Sequence, residues 1–160
     1  MTVHHARVLA LAAVLIGISA LGPSPSHAQQ PRFDRIDPPL DDMRAKAERG
    51  DGQAQFNLGV RYDGGFWSRP QEAVRWYRLA ANQGNARAQA SLGLMFGKGR
   101  GVLRDYVEAH LWSNLAAAQL TGEDRDRAVK NRDDVAERMT AEQIAEAQRR
   151  AREWTPTPEP

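Results

Sequence analysis

The 160-residue sequence contains no cysteine. Disulfides are therefore excluded as staples, and so is a lipid-bearing N-terminal cysteine. Histidine is almost as scarce. His4, His5 and His27 fall within the first 28 residues, which leaves His110 as the one histidine beyond them. One imidazole without thiols cannot build a zinc site, which takes several such ligands. Long apolar runs are missing too: residues 8–21 fall short of the roughly 20 residues of a comfortable membrane span. No lysine and arginine block is interleaved with aromatics. The formal charge of +2 drops to +1 once Arg7 is set aside, so the pI of about 9.3 does not describe a strongly cationic surface. Nucleic-acid binding is not expected. No segment reads as a strand.

What is present begins with a weakly basic start, the apolar run at 8–21, and "GPSPSHA". Ser26 and Ala28 are small residues placed for cleavage after Ala28. This is the grammar of a Sec-type secretory signal peptide over residues 1–28. It predicts a periplasmic or secreted protein with no membrane insertion after cleavage. Residues 29–39, "QQPRFDRIDPP", read as an extended linker. Residues 155–160, "TPTPEP", read as a disordered, mobile tail.

Between linker and tail, alanine, leucine, glutamate and arginine dominate, and apolar residues recur at helical spacing. The sequence also repeats. Gly50, Ala54, Gln55, Leu58, Gly59 and Tyr62 are followed 34 residues later by Gly84, Ala88, Gln89, Leu92, Gly93 and Phe96. Glu72, Ala73, Trp76, Leu79, Ala80 and Ala81 recur 36 residues later as Glu108, Ala109, Trp112, Leu115, Ala116 and Ala117. A repeat of this period marks a stack of helix pairs. The units run about 50–83 and 84–119, with helices over 52–62, 70–82, 86–96 and 105–118.

Several local signals fix the ends. Asp105 with Glu108 forms an N-cap pair, Pro70 suits a first turn, and Gly50 and Gly84 close helices in the left-handed conformation. Residues 40–49 read as the second helix of a preceding half-unit. Residues 123–154 read as an amphipathic capping pair, with a capping box at "TAEQ", residues 140–143. The expected fold is all-α: a short right-handed α/α solenoid with a C-terminal capping helix pair, over residues 40–154.

"AQxxLGxxYxxG…EAxxWYRLAANQG" and "AQxSLGLMFGKGRGVLRDYVEAHLW" resemble Sel1-like repeats, relatives of the tetratricopeptide repeats. The resemblance covers about residues 40–154. It implies an α/α superhelix that binds proteins or peptides. The second unit carries the family loop "GKGRGVLRD". The first has "DGGFWSRP" instead, which lacks the GV…D signature and makes Phe66 and Trp67 unusual.

Chemistry is hard to assemble from what remains. His110 and Ser113 stand three apart on one helix, but both replace ordinary face residues of the first unit, Val74 and Tyr77. "GKGRG" lacks the preceding strand and GK[ST] step of a phosphate loop, and reads as an inter-helix turn. Trp76 and Trp112, flanked by alanines, read as core. No catalytic residue, metal or cofactor is assigned.

The resemblance places binding on the first helix of each pair. Beside the packing residues runs a stripe of Gln53, Phe56, Val60 and Asp63, matched by Arg87, Ala90, Leu94 and Gly97. Phe56, Val60 and Leu94 would form a small apolar groove anchored by Gln53, Asp63 and Arg87, unless Phe56 and Val60 pack inward. Phe66 and Trp67 form a second contact patch or fold back over their turn. The function expected is an exported protein-protein interaction module (adaptor, assembly factor or envelope regulator) that acts as a monomer on an unidentified protein or peptide. The alternative is an envelope enzyme such as a peptidoglycan-active hydrolase, or a β-lactam-binding protein.

Overall fold

A computed structural model describes residues 38–65 and 68–157 of the chain. The expected signal segment, the linker before Pro38, the Phe66 and Trp67 patch and residues 158–160 lie outside the described residues. Within them every regular element is a helix: α1 (Pro38–Glu48), α2 (Gly52–Asp63), α3 (Pro70–Asn82), α4 (Ala86–Lys98), α5 (Tyr106–Gln119), α6 (Gly122–Ala136) and α7 (Ala141–Glu153). The two repeats become the pairs α2/α3 and α4/α5, and α1 is the unpaired second helix ahead of them. Expected bounds hold to within about two residues. Helix α1 starts at Pro38, inside the stretch expected to be extended linker, because the fixed φ of proline suits a first helical turn.

The repeated residues make repeated bonds. Asp51 Oδ1 accepts from the Ala54 amide at 2.8 Å, and Asn85 Oδ1 accepts from the Ala88 amide at 3.0 Å. These are N-caps at equivalent places. Gly50 and Gly84 both turn left-handed, at φ 88° and 91°. After each, an amide reaches back to close the previous helix: Asp51 N–H to Lys46 C=O at 3.1 Å, Asn85 N–H to Ala80 C=O at 3.0 Å. Asp105 caps α5 through the Glu108 amide, and Thr140 with Gln143 forms the expected capping box on α7.

Packing follows the repeat. Helix α2 lies against α1 and α3, α4 against α3, α5 and α6, and α5 against α6 and α7. Trp76 and Trp112 are core residues, 6% and 7% exposed, among the fully buried Ala73, Ala80, Ala109 and Ala116. The mid-helix glycines mark close approach. A Cβ on Gly59 would lie 2.5 Å from the ring of Tyr77 on α3. One on Gly93 would lie 2.5 Å from Ser113 Oγ and 3.1 Å from the Ala109 carbonyl on α5. The same glycine therefore serves two solutions. In the first unit a ring slides over it, and in the second the backbones themselves draw close.

Two features were not legible in advance. Gln55 and Gln89, both completely buried, donate through Nε2 to the carbonyls of Ala47 and Ala81, at 3.1 and 3.2 Å. Each ties a first helix to the helix before it. The other departs from the expected mobile tail. Trp154 stacks edge-on against Trp112 with centroids 6.3 Å apart, Pro156 lies against Gly84, and the Thr157 amide donates to the Asn82 carbonyl at 2.8 Å. Residues 155–157 are thus extended and docked on the α3–α4 turn. Proline bars them from a helix, but an extended strand needs only an acceptor and an apolar seat.

Candidate functional site

A hollow of about 410 Å³ opens between the first helices of successive pairs. Helix α2 contributes Phe56, and α4 contributes Arg87, Ala90, Ser91 and Leu94. The far wall is Leu120 with Asp124, Arg127, Ala128 and Asn131 of α6. The volume falls in the range of about 300–1,000 Å³ usual for ligand sites.

The floor is apolar and firmly held. Phe56 is half-buried and tilts against Tyr77 with ring centroids 5.9 Å apart. Tyr77 is itself buried. Burial first, then the nearby Asp63 carboxylate, pushes its phenol up to about 12 despite a hydrogen bond with Ser91. Leu94 is 41% exposed, a large apolar side chain facing solvent from a rigid helix. Ala90 and Ala128 are small, and their lack of bulk makes the depth.

The rim is charged. Asp124 Oδ2 lies 3.5 Å from Arg87 Nε, and its Oδ1 lies 3.7 Å from Arg127 Nη1. Arg127 also reaches Glu123 at 3.2 Å. All four side chains are well exposed, so these pairs add little stability, of the order of 0–1 kcal/mol each.

The sequence-derived stripe divides. Phe56, Arg87, Ala90 and Leu94 come together in the hollow, and Phe56 is both groove wall and core neighbour. Val60 is 47% exposed on the same helix as Phe56 but does not line the hollow. Gln53 is exposed and donates to Asn57 at 2.9 Å. Asp63 points elsewhere: its buried Oδ1 meets Arg100 Nη2 at 3.1 Å in an ion pair that ties the first loop to the second. The residues missed were those of α6. By its polar composition alone that helix reads as a cap. Its start, "TGEDRDRA", does stand 36 residues after "NARAQASL", where a third first helix belongs.

Nucleophilic chemistry does not assemble on α5. Ser113 Oγ accepts from Asn131 Nδ2 at 2.7 Å, while His110 is 4% exposed and its Nδ1 makes no hydrogen bond. Burial first, then Arg132, holds the imidazole pKa below its ordinary value, with Asp133 opposing. No cluster of three or more metal-ligating residues occurs among the described residues. No helix among them is long and apolar enough to cross a membrane.

The fold defines a short helical-repeat protein. The Sel1 repeat profile matches residues 52–85 and 86–119, the two helix pairs just described, and the chain belongs to the Sel1 repeat family. Repeats of this family generally mediate protein-protein interaction. The alginate biosynthesis protein AlgK of Azotobacter vinelandii is 32% identical over 111 residues, 67% of this chain and 24% of its own length. A protective antigen present in uropathogenic Escherichia coli strains, which displays an SLR fold, superposes with a TM-score of 0.64 at 33% identity, over 71% of this chain and 24% of its own. A Sel1 repeat protein from Oxalobacter formigenes is 32% identical over 72% of this chain and 98% of its own, with a TM-score of 0.46. The chain thus spans about a quarter of the length of AlgK and of the antigen.

Proposed function

We propose that this protein is an exported, monomeric interaction module that holds a peptide or protein segment against the face formed by α2, α4 and α6. The observation that carries the reading is the hollow itself. It joins an exposed leucine, a half-buried phenylalanine and two small alanines under a charged rim, on the helices that the repeat architecture leaves open on one side. Export rests on the signal grammar of residues 1–28. The adaptor, assembly-factor and envelope-regulator roles are all uses of one such groove.

Leu94→Glu is the cleaner test of the groove, because Phe56 also supports Tyr77. Partner capture from an envelope fraction should be lost by Leu94→Glu and kept by Arg152→Glu, a substitution on α7, with equal helicity in circular dichroism. If Leu94→Glu captures the same proteins as wild type, the groove is not the binding face. Export is tested separately, by the N-terminal mass of the protein recovered outside the cytoplasm, which should begin at Gln29.

A further inference from the structure

Of the three helices that form the hollow, α6 is the most lightly held. It buries Ala128 and Val135, whereas α2 buries four residues and α4 six. A polar tie adds to these: Asn131 Nδ2 donates to Ser113 Oγ of α5 at 2.7 Å. One turn before Ser113, on the same side of α5, stands His110, 4% exposed. The α6 charges that act on it are Arg132 and Asp133, next along from Asn131.

Neutral, the imidazole fits this seam, but as a cation it does not. The imidazolium carries an N–H on both nitrogens, and Nδ1 is buried with no hydrogen-bond partner. A charge there would lose its water and gain no acceptor at Nδ1. Arg132 would add like-charge repulsion. Asp133 offsets part of it, but its carboxylate already lies 2.8 Å from Arg132 Nη2. From α4 the uncharged Gly93 and Gly97 stand against Ser113, Ala109 and Asn131. On α7, Arg150 pairs with Glu108, which lies about 200° round α5 from His110.

We propose that His110 is an acid-sensitive fastener between α5 and α6: its protonation drives α6 off α5 and withdraws the far wall of the hollow. The chain stays folded, because α7 remains on α5 through Trp154 against Trp112. The fastener acts on the wall and not on its occupant, so it is independent of the groove reading. An open seam gives His110 its ordinary pKa of about 6.5, and the closed seam a lower one. The open population is therefore smallest above that range. It rises as pH falls through it, about tenfold per pH unit, until the closed ring is protonated too.

Native-state hydrogen exchange of the 15N-labelled full chain, in low urea at pH 7.5 and pH 5.5, tests this. After correction for intrinsic rates, the amides of Ala128 and Asn131 should exchange through a local opening that urea hardly affects, since it exposes little surface. That opening should be about threefold or more commoner at the lower pH. Leu58 of α2 should exchange only by the urea-dependent global route. His110→Gln should remove the pH response. Arg132→Gln keeps the ring but takes away the neighbouring cation, and should shrink it. If Ala128 and Asn131 open only by the global route at both pH values, the proposal is overturned. A pH response that either variant leaves unchanged overturns it as well.

Discussion

Gln119 Nε2 lies 2.9 Å from Gln89 Oε1, the same relation that Gln83 bears to Gln55 at 2.8 Å one unit earlier. Each buried glutamine thus accepts from the end of its own unit and donates to the helix of the unit before. Its amide satisfies one bond on either side of a repeat junction, and the unit interfaces are joined by polar as well as apolar contact.

Gln89→Ala should therefore cost about 2–3 kcal/mol, from two lost hydrogen bonds and a small void. Gln119→Ala, at the exposed end of the same chain of bonds, should cost no more than about 1 kcal/mol. Urea unfolding of the two variants measures the gap. Equal effects would show that the buried amide does not hold the junction.

The glycine pair gives a sharper contrast. Alanine should gain about 1 kcal/mol of helix propensity at either site, against roughly 1–3 kcal/mol of overpacking. Gly93→Ala should be net destabilising, since a backbone carbonyl and amide of α5 stand in the way. At Gly59 the obstacle is a side chain, so Gly59→Ala should couple to Tyr77. In a double-mutant cycle, Tyr77→Ala should cost less in the Gly59→Ala background than in wild type. Additive effects would remove the ring from the account.

The repeat register was legible because it lives in residue identity: Leu58 with Leu92, Gly59 with Gly93 and Trp76 with Trp112 return at fixed offsets. The caps were legible for the same reason, since Asp105 and Thr140 act on their own helix within one turn. The role of Gln55 and Gln89 was not, although both stand in the repeat, because a glutamine in an amphipathic pattern looks like surface until its neighbour's carbonyl is placed. The far wall of the hollow was hidden by composition. Helix α6 buries only Ala128 and Val135, which left its charged residues to be read as a solvated face.

His110 should make the fold sensitive to mild acid. Its folded-state pKa lies below the ordinary value, so the unfolded chain binds its proton more readily. Stability should be complete above the ordinary histidine range of about 6.5 and fall as pH drops through it, levelling once the folded imidazole is also protonated. His110→Gln should flatten this part of the curve. Melting temperatures from pH 8 to pH 5 test it, and a wild-type curve parallel to that of the variant would assign the sensitivity elsewhere.

The docking of Trp154, Pro156 and Thr157 should be measurable as well. Trp154→Ala should cost about 1–3 kcal/mol through lost contact with Trp112. Truncation after Trp154 should cost about 0.5–1.5 kcal/mol, the worth of one backbone hydrogen bond. It should also speed amide exchange at the α3–α4 turn. Unchanged exchange at Gly84 and Asn85 after truncation would argue that the tail is merely adjacent.

A stack of helix pairs normally melts as a row of dominoes, each piece answering only to its neighbours. Here Pro156 and Thr157, beyond α7, reach back past α5 to Gly84 and Asn82, between the two repeats. The terminal pair cannot peel away without releasing a turn near the middle of the row. The ends should therefore fray less independently than the repeat count suggests, and the chain should lose its order in one step.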